Sequence, residues 1–244
     1  MRVPRFFTQQ ALSPHQPVTL EQAPSHHLLR VLRAQNGADV VLFNGDGREY
    51  QAVLVGAEGK LAVLEVTAFG QPQRESPLTI RLGQGVSRGE RMDWVMQKSV
   101  ELGVQEITPL WTQRSQVQLS GKRLEKRLSH WDGIVKSASE QSGRVSLAAI
   151  RPASRLADWL GQADTAAARI VLDPEAERTL WEIETPRELR VLIGPEGGLE
   201  RGEIDAAISA GFQPVRLGPR ILRTETAALA TLAAMQTLWG DFRA

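Results

Sequence analysis

Two turns near the C-terminus limit most strongly what this chain can fold into. The first, residues 194–198, contains three glycines and one proline and follows an apolar run that ends at Ile193. The second, residues 218–224, follows a short run that ends at Leu217. In open α/β sheets, strand-to-helix turns bind ligands outside the carboxyl ends of the strands. Two such turns so close in sequence predict adjacent walls of one crevice.

The chain after residue 77 alternates between strand-like and helix-like segments. Six short apolar runs predict strands, at residues 78–82, 106–111, 146–150, 169–172, 189–193 and 214–217. Apolar residues recur at helical spacing over 92–100 and 124–138, and a last helix is expected over 224–239, which is rich in Ala and Leu. Strands that alternate with helices indicate an α/β fold with a parallel sheet covered on both faces.

The first 70 residues have the pattern of a small β-rich module. Apolar segments predict a short helix and then three strands, at residues 26–33, 40–43, 49–55 and 61–66. Residues 44–47 favour a hairpin between the first two strands, and residues 56–59 predict another turn. Residues 70–77 are polar, contain two prolines and are interpreted as a linker, so we place the domains at 1–72 and 73–244.

Composition excludes several classes of protein. The 244-residue chain has no cysteine, which rules out disulfides, thiolate metal sites and cysteine nucleophiles. Its four histidines lack metal-ligand spacing, so we expect no metal. The opening residues lack a signal-peptide core and no apolar run approaches a membrane span, so we expect a cytoplasmic protein without membrane contact. A net charge of +1 means that any RNA contact must come from local basic clusters.

The first turn does not have the pattern of a phosphate-binding loop. Neither GxxxxGK[ST] nor GxGxxG spacing is present, and the carboxylate of Glu196 would repel phosphate. One interpretation is that the segment only connects a strand to a helix, with Glu200 and Glu203 interacting with the helix dipole. The other is that it binds a ligand, which the nearby second turn favours.

Together, the two turns resemble the cofactor loops of the SPOUT methyltransferases, and specifically the RsmE family, which methylates N3 of a uridine in 16S ribosomal RNA. The resemblance implies a SPOUT-type parallel sheet with a C-terminal trefoil knot, preceded by a small PUA-like β-barrel domain. It also implies S-adenosylmethionine as the cofactor, and glycines in the turns would let the backbone approach it closely. The implied pocket residues are Leu172, Ile193, Gly194, Pro195, Glu196, Gly197, Gly198, Leu217, Gly218, Ile221, Leu222 and Thr226.

Methylation of uridine N3 requires loss of the imide proton. The anion that develops on the ring carbonyls needs a positive or hydrogen-bonding partner. Arg223, at the start of the final helix, is the candidate for that partner, and Glu225, the nearest carboxylate, is the candidate general base. A structural alternative stays open for both residues, because the helix dipole favours an acidic residue in the first turn and Arg223 could pair with it.

Two groups of polar side chains are candidates for RNA contact. The first 33 residues contain Arg2, Arg5, Arg30 and Arg33 against Glu21 alone. Replacing these arginines is expected to weaken RNA binding and to flatten its dependence on salt.

The segment 139–144 also matches the family pattern, and Gln141 and Arg144 are its candidates for RNA contact. The alternative is a helix C-terminus, with Gly143 as the stop and Arg144 on the last carbonyls. By resemblance, the partners are 16S ribosomal RNA in the small ribosomal subunit and a second copy of the chain. In that homodimer the apolar final helix is the expected contact.

Two other functions stay open. One is a methyltransferase of the same fold that acts on another RNA nucleotide, such as a transfer RNA ribose, although the N-terminal module matches the uridine-N3 family. The other is a non-catalytic RNA-binding or ribosome-assembly factor. The glycines of the first turn disfavour it, because a pocket without a ligand would be free to lose them.

Overall fold

The computed structural model describes residues 3–116, 120–163, 166 and 168–243. The chain forms two compact units, one of residues 1–75 with 139–147 and the other of residues 76–138 with 148–244. Residues 73–75 and the segment 139–147 are the parts of the first unit that the sequence division at residue 72 did not assign to it.

The first unit contains a five-stranded mixed sheet. Its strands are β1 (Arg5–Phe7), β2 (Pro17–Thr19), β3 (Asp39–Phe43), β4 (Glu49–Glu58) and β5 (Leu61–Gly70). They lie in the order β1-β3-β4-β5-β2, with β1 parallel to β3 and the other pairs antiparallel. The predicted hairpin at residues 44–47 is confirmed. The predicted turn at 56–59 is shorter, because β4 continues through Gly56 with a register shift there and the chain turns at Gly59.

The helix of the first unit begins earlier than the sequence predicted. Helix α1 (Gln22–His26) is followed directly by a π-helical turn, His27–Val31. Pro24 is tolerated because it lies in the first turn, where backbone N–H groups have no helical partner. Ser25 joins the helix to the sheet, since its Oγ donates to the carbonyl of Leu20 (3.0 Å) and accepts from the N–H of Ala62 (2.9 Å).

The second unit contains a seven-stranded sheet in which every pair is parallel. Its strands are β6 (Thr79–Gly85), β7 (Glu106–Trp111), β8 (Ala149–Ile150), β9 (Ser154–Arg155), β10 (Ala168–Leu172), β11 (Glu188–Ile193) and β12 (Gln213–Val215). The helices are α2 (Glu90–Glu101), α3 (Gly121–Ser142), whose end from Ser139 belongs to the first unit, α4 (Leu156–Leu160), α5 (Arg201–Ser209) and α6 (Thr224–Trp239). The predicted parallel α/β architecture is confirmed.

Apolar side chains pack on both faces of this sheet. On β11, Val191 and Ile193 pack on one face of the sheet, in a cluster with buried apolar residues of α2 and α6. Leu192, between them, packs on the other face with Trp159 and Phe212. Alternate residues of a strand point to opposite faces, so a continuous apolar run is what a doubly covered strand requires. The trefoil knot that the resemblance implies stays a prediction.

Among the described residues, no helix combines the length and apolar character needed to cross a bilayer. Within the same residues, no group of three or more His, Asp or Glu side chains is arranged to hold a metal ion.

Candidate cofactor pocket and RNA-contact residues

The turns after β11 and β12 meet at one cavity of about 620 Å³ in the second unit. The strand order β12-β10-β11 places three parallel strands side by side, so the turns that follow them leave the same edge of the sheet. The predicted meeting of the two turns is therefore confirmed. Eleven of the predicted pocket residues line this cavity: Leu172, Ile193, Gly194, Pro195, Glu196, Gly197, Gly198, Leu217, Gly218, Ile221 and Leu222.

Thr226 is the predicted pocket residue that does not line the cavity. It is exposed on α6, and Thr224 and Ala227 form the cavity wall at this helix instead. Residues three apart share a face of a helix, whereas a residue two positions after Thr224 points elsewhere.

One further wall of the cavity was not predicted from the sequence. It is the turn after β10, where Asp173, Pro174 and Glu175 line the cavity. The Asp173 side chain is buried, its Oδ1 accepts from the N–H of Glu175 (2.9 Å), and its Oδ2 lies 3.7 Å from Nη1 of Arg201. The signal was present in the sequence, because this turn follows a predicted strand and the rule on strand ends applies to it equally.

The first turn is closed by a backbone hydrogen bond from the N–H of Gly198 to the carbonyl of Pro195 (2.9 Å). Gly198 has a φ of 70°, a left-handed conformation that glycine adopts readily. Helix α5 then begins with a capping box, in which the side chains of Glu200 and Glu203 accept from each other's backbone N–H. Both glutamates predicted to interact with this helix end therefore do so by direct hydrogen bonds.

Glu196 fixes the first turn to the segment before α2. Its Oε1 accepts from the backbone N–H of Arg88 (2.7 Å) and from Nη1 of Arg91 (3.1 Å). Burial raises the pKa of Glu196, but the backbone N–H groups of Arg88 and Glu196 and the Arg91 guanidinium outweigh it and hold that pKa below its ordinary value. The carboxylate is therefore charged at neutral pH.

Arg223 and Glu225, the predicted catalytic residues, lie at the start of α6 beside the cavity. Neither lines it, although Leu222 and Thr224, on either side of Arg223, do. Arg223 is exposed, and its side chain has no ion-pair or hydrogen-bond partner in the part of the chain that the structure describes. Glu225 lies instead beside Arg91, with 4.0 Å between Oε1 and Nε, and no described residue donates to its buried Oε2. The alternative in which Arg223 pairs with Glu225 is therefore not the arrangement observed.

Two predicted RNA-contact residues are buried within the first unit. The Arg5 side chain is only 6% exposed, forms an ion pair with Glu49, and donates to the carbonyls of Gly143 (3.2 Å) and Arg144 (3.1 Å). The Arg144 side chain is 4% exposed, and its Nη2 lies 2.8 Å from Oε2 of Glu75. A buried guanidinium that already binds a carboxylate is not presented to a phosphate, so this geometry gives both arginines a structural role.

Arg30, Arg33 and Gln141 are exposed in the same unit and stay candidates for RNA contact. Arg30 lies in the π-helical turn, and Arg33 follows it with a left-handed φ of 54°. No ion pair involves either arginine within the described ranges of the chain. Arg2, also predicted to contact RNA, lies outside the described residues.

Comparison with family models matches both parts of the chain. A model described as RNA methyltransferase domain matches residues 74–236, and one described as RNA methyltransferase PUA domain matches residues 21–67.

Similar proteins match over nearly the full length. The ribosomal RNA small subunit methyltransferase E of Buchnera aphidicola subsp. Schizaphis graminum is 34% identical, over 98% of this chain and 98% of its own. A solved ribosomal RNA small subunit methyltransferase E from Neisseria gonorrhoeae, bound to S-adenosyl methionine, is 40% identical with a TM-score of 0.92, over 99% of this chain and 100% of that one. A Legionella pneumophila protein solved in complex with the bound cofactor SAM is 37% identical with a TM-score of 0.96 over the same shares. The chain therefore belongs to the ribosomal RNA small subunit methyltransferase E family.

Proposed function

We propose that this chain transfers a methyl group from S-adenosylmethionine to N3 of a uridine in the 16S ribosomal RNA of the small subunit. The observation that carries the proposal is the cavity at which the turns after β10, β11 and β12 meet. Relatives of 37% and 40% identity that carry this cofactor support it.

The residues of the cavity fit S-adenosylmethionine. A volume of about 620 Å³ lies in the range of small-molecule sites. Leu172, Ile193 and Leu217 offer apolar surface to the nucleoside, and the buried carboxylate of Asp173 supplies negative charge near a cationic ligand. When bound, this cofactor supplies an activated methyl group on a positively charged sulfur.

The chain's own residues then hold the target base and move its proton. Glu225, at the start of α6 beside the cavity, accepts the N3 proton, and among the described residues no donor occupies its Oε2. Arg223 stabilises the anion on the ring carbonyls, and its exposed guanidinium has no competing partner among the described residues. Positioning the base in line with the methyl group supplies much of the remaining rate.

The proposal extends to partners and location. Residues 1–72 form the RNA-docking domain, with Arg30 and Arg33 exposed for contact, and residues 73–244 form the catalytic domain, in which Gln141 is also exposed for contact. The chain acts as a homodimer through the region of α6, where Trp181 and Ile221 are 79% and 87% exposed. We further propose that the chain works in the cytoplasm.

The test uses purified protein, methyl-labelled cofactor and two substrates, naked 16S ribosomal RNA and assembled small subunits that lack the modification. The RNA is then digested and the labelled nucleoside identified by mass spectrometry. Label in 3-methyluridine at a single position supports the proposal. Label on a ribose, or binding of RNA without methyl transfer, contradicts it and favours one of the two other functions.

A further inference from the structure

A buried hydrogen-bond network connects the interior of the parallel sheet to both turns of the cavity. Gln84, near the end of β6, has no exposed surface. Its Nε2 donates to the carbonyl of Gly194 (3.2 Å) and to Oγ1 of Thr224 (3.0 Å). Oγ1 of Thr224 in turn donates to the same carbonyl of Gly194 (2.7 Å). The three groups form a closed triangle.

The chemistry of the partners fixes the direction of every bond. Gly85 and Gly194 present carbonyl oxygens, which only accept, so the side-chain amide of Gln84 must turn its NH₂ group toward them. The two hydrogens of this group are shared among the two carbonyls and Oγ1 of Thr224. The hydroxyl of Thr224 accepts from this NH₂ and therefore gives its single proton to Gly194. A carboxylate at position 84 has no hydrogen to donate and would place negative oxygens against these carbonyls.

The network joins two segments that are far apart in sequence. Gly194 opens the first turn and Thr224 closes the second, and both line the cavity, whereas Gln84 does not. The strand end itself touches the first turn, because a β-carbon on Gly85 would lie 2.5 Å from the backbone nitrogen of Pro195. The hydrogen bonds among Gln84, Gly194 and Thr224, with the contact between Gly85 and Pro195, therefore set the distance between the two turns.

We propose that Gln84 is a positioning residue which, acting through Thr224, holds the two turns at the spacing that binds the cofactor. This inference rests on the proposed function, in which S-adenosylmethionine occupies the cavity. Gln84 is too deeply buried to contact the cofactor, so its effect passes through Gly194 and Thr224. Losing a buried donor leaves its partners unsatisfied, and we expect the cofactor Kd to rise about tenfold.

The test compares Gln84→Leu, Thr224→Val and Thr224→Ser with a matched control, Gln236→Leu. Gln236 is also fully buried, bonds Ser76 (2.8 Å) and the carbonyl of Leu102 (2.8 Å), and lies outside the cavity lining. The Kd of S-adenosylmethionine is measured by calorimetry on the full chain, with Tm measured in parallel.

We expect Gln84→Leu and Thr224→Val to raise Kd about tenfold each, and the double variant to raise it by much less than the product. Thr224→Ser keeps the hydroxyl and should restore most of the affinity that Thr224→Val loses. Gln236→Leu, outside the cavity lining, should stay within about twofold of the parent chain despite its lower Tm. If Gln84→Leu fails to fold, Gln84→Asn, which keeps the amide but is one methylene shorter and reaches Gly194 and Thr224 less well, takes its place in the comparison. An unchanged Kd in the variant at position 84, or equal Kd values for Val, Ser and the Gln236 control, overturns the inference, whereas a parent chain that binds no cofactor overturns the proposed function instead.

Discussion

Replacement of Arg5 by Met should destabilise the first unit. The apolar side chain keeps much of the length of arginine but removes the ion pair to Glu49 and the hydrogen bonds to the carbonyls of Gly143 and Arg144. Arg5 joins β1 to the segment 139–147, together with the backbone N–H of Phe7, which donates to Oε1 of Glu140 (3.0 Å). The change therefore separates a structural role for this residue from the RNA contact that its sequence position suggests.

The size of the effect follows from what remains around Glu49. Removing one partner of a buried ion pair costs about 3–5 kcal/mol, because the other charge is left uncompensated. Arg74 still lies 3.0 Å from Oε2 of Glu49 and compensates part of that charge. We therefore expect a loss of about 3 kcal/mol, at the lower end of this range. Such a loss raises the equilibrium constant for unfolding of the first unit roughly 100-fold.

Hydrogen–deuterium exchange measured by mass spectrometry resolves this effect by region. Peptides from β1 and β3 should exchange about 100-fold faster in Arg5→Met, whereas β11, in the second unit, should be unchanged. Arg30→Ala is the matched control, since Arg30 is exposed and its replacement should cost less than about 0.5 kcal/mol. Unchanged protection of β1 and β3, together with a loss of RNA affinity in Arg5→Met, would refute the structural role.

Three further predictions concern the pocket and the RNA. Replacing both Arg30 and Arg33 by Ala should weaken RNA binding and lower the steepness of log K for RNA binding against log salt concentration by about 1.5. An unchanged slope would show that these two arginines do not contact RNA phosphates. Arg223→Ala and Glu225→Gln should each lower kcat by at least about 100-fold, with the cofactor Kd nearly unchanged. A rise in the cofactor Kd as large as the fall in kcat would show instead that the residue binds the cofactor. Because the pKa of Glu196 is lowered by folding, its contribution of about 1 kcal/mol is present above its ordinary pKa and is lost as the pH falls through the lowered value. The difference in unfolding free energy between the parent chain and Glu196→Gln should thus be constant from about pH 7 to 5 and shrink toward pH 3, and a difference that grows on acidification contradicts this.

The sequence predicted those features that depend on residues close together in the chain. Continuous apolar runs predicted the strands of a doubly covered sheet, and the rule on strand ends predicted that the turns after residues 193 and 217 meet. The short strands β9 and β2 have two and three residues, too few for a periodic pattern, and of the strand predicted at residues 146–150 only Ala149–Ile150 (β8) is formed. Their pairing depends on neighbouring strands rather than on their own residues.

The roles of individual charged side chains could not be predicted, because their partners are distant in sequence. Arg5 was counted with a basic cluster, yet its carboxylate partner, Glu49, lies 44 residues further along the chain. Glu196 was assigned to the pocket by resemblance, but the groups that hold its carboxylate belong to Arg88, just before α2, and to Arg91, in the first turn of that helix. Long-range ion pairs of this kind leave no periodic signal.

The account depends most on the claim that the turns after β11 and β12 together bind S-adenosylmethionine. Hydrogen–deuterium exchange with and without saturating cofactor tests it directly on the parent chain. The account predicts that slower exchange is concentrated in residues 194–199 and 217–222, with both segments protected at the same cofactor concentration. Protection of only one of these segments, or protection confined to another part of the chain, would contradict it.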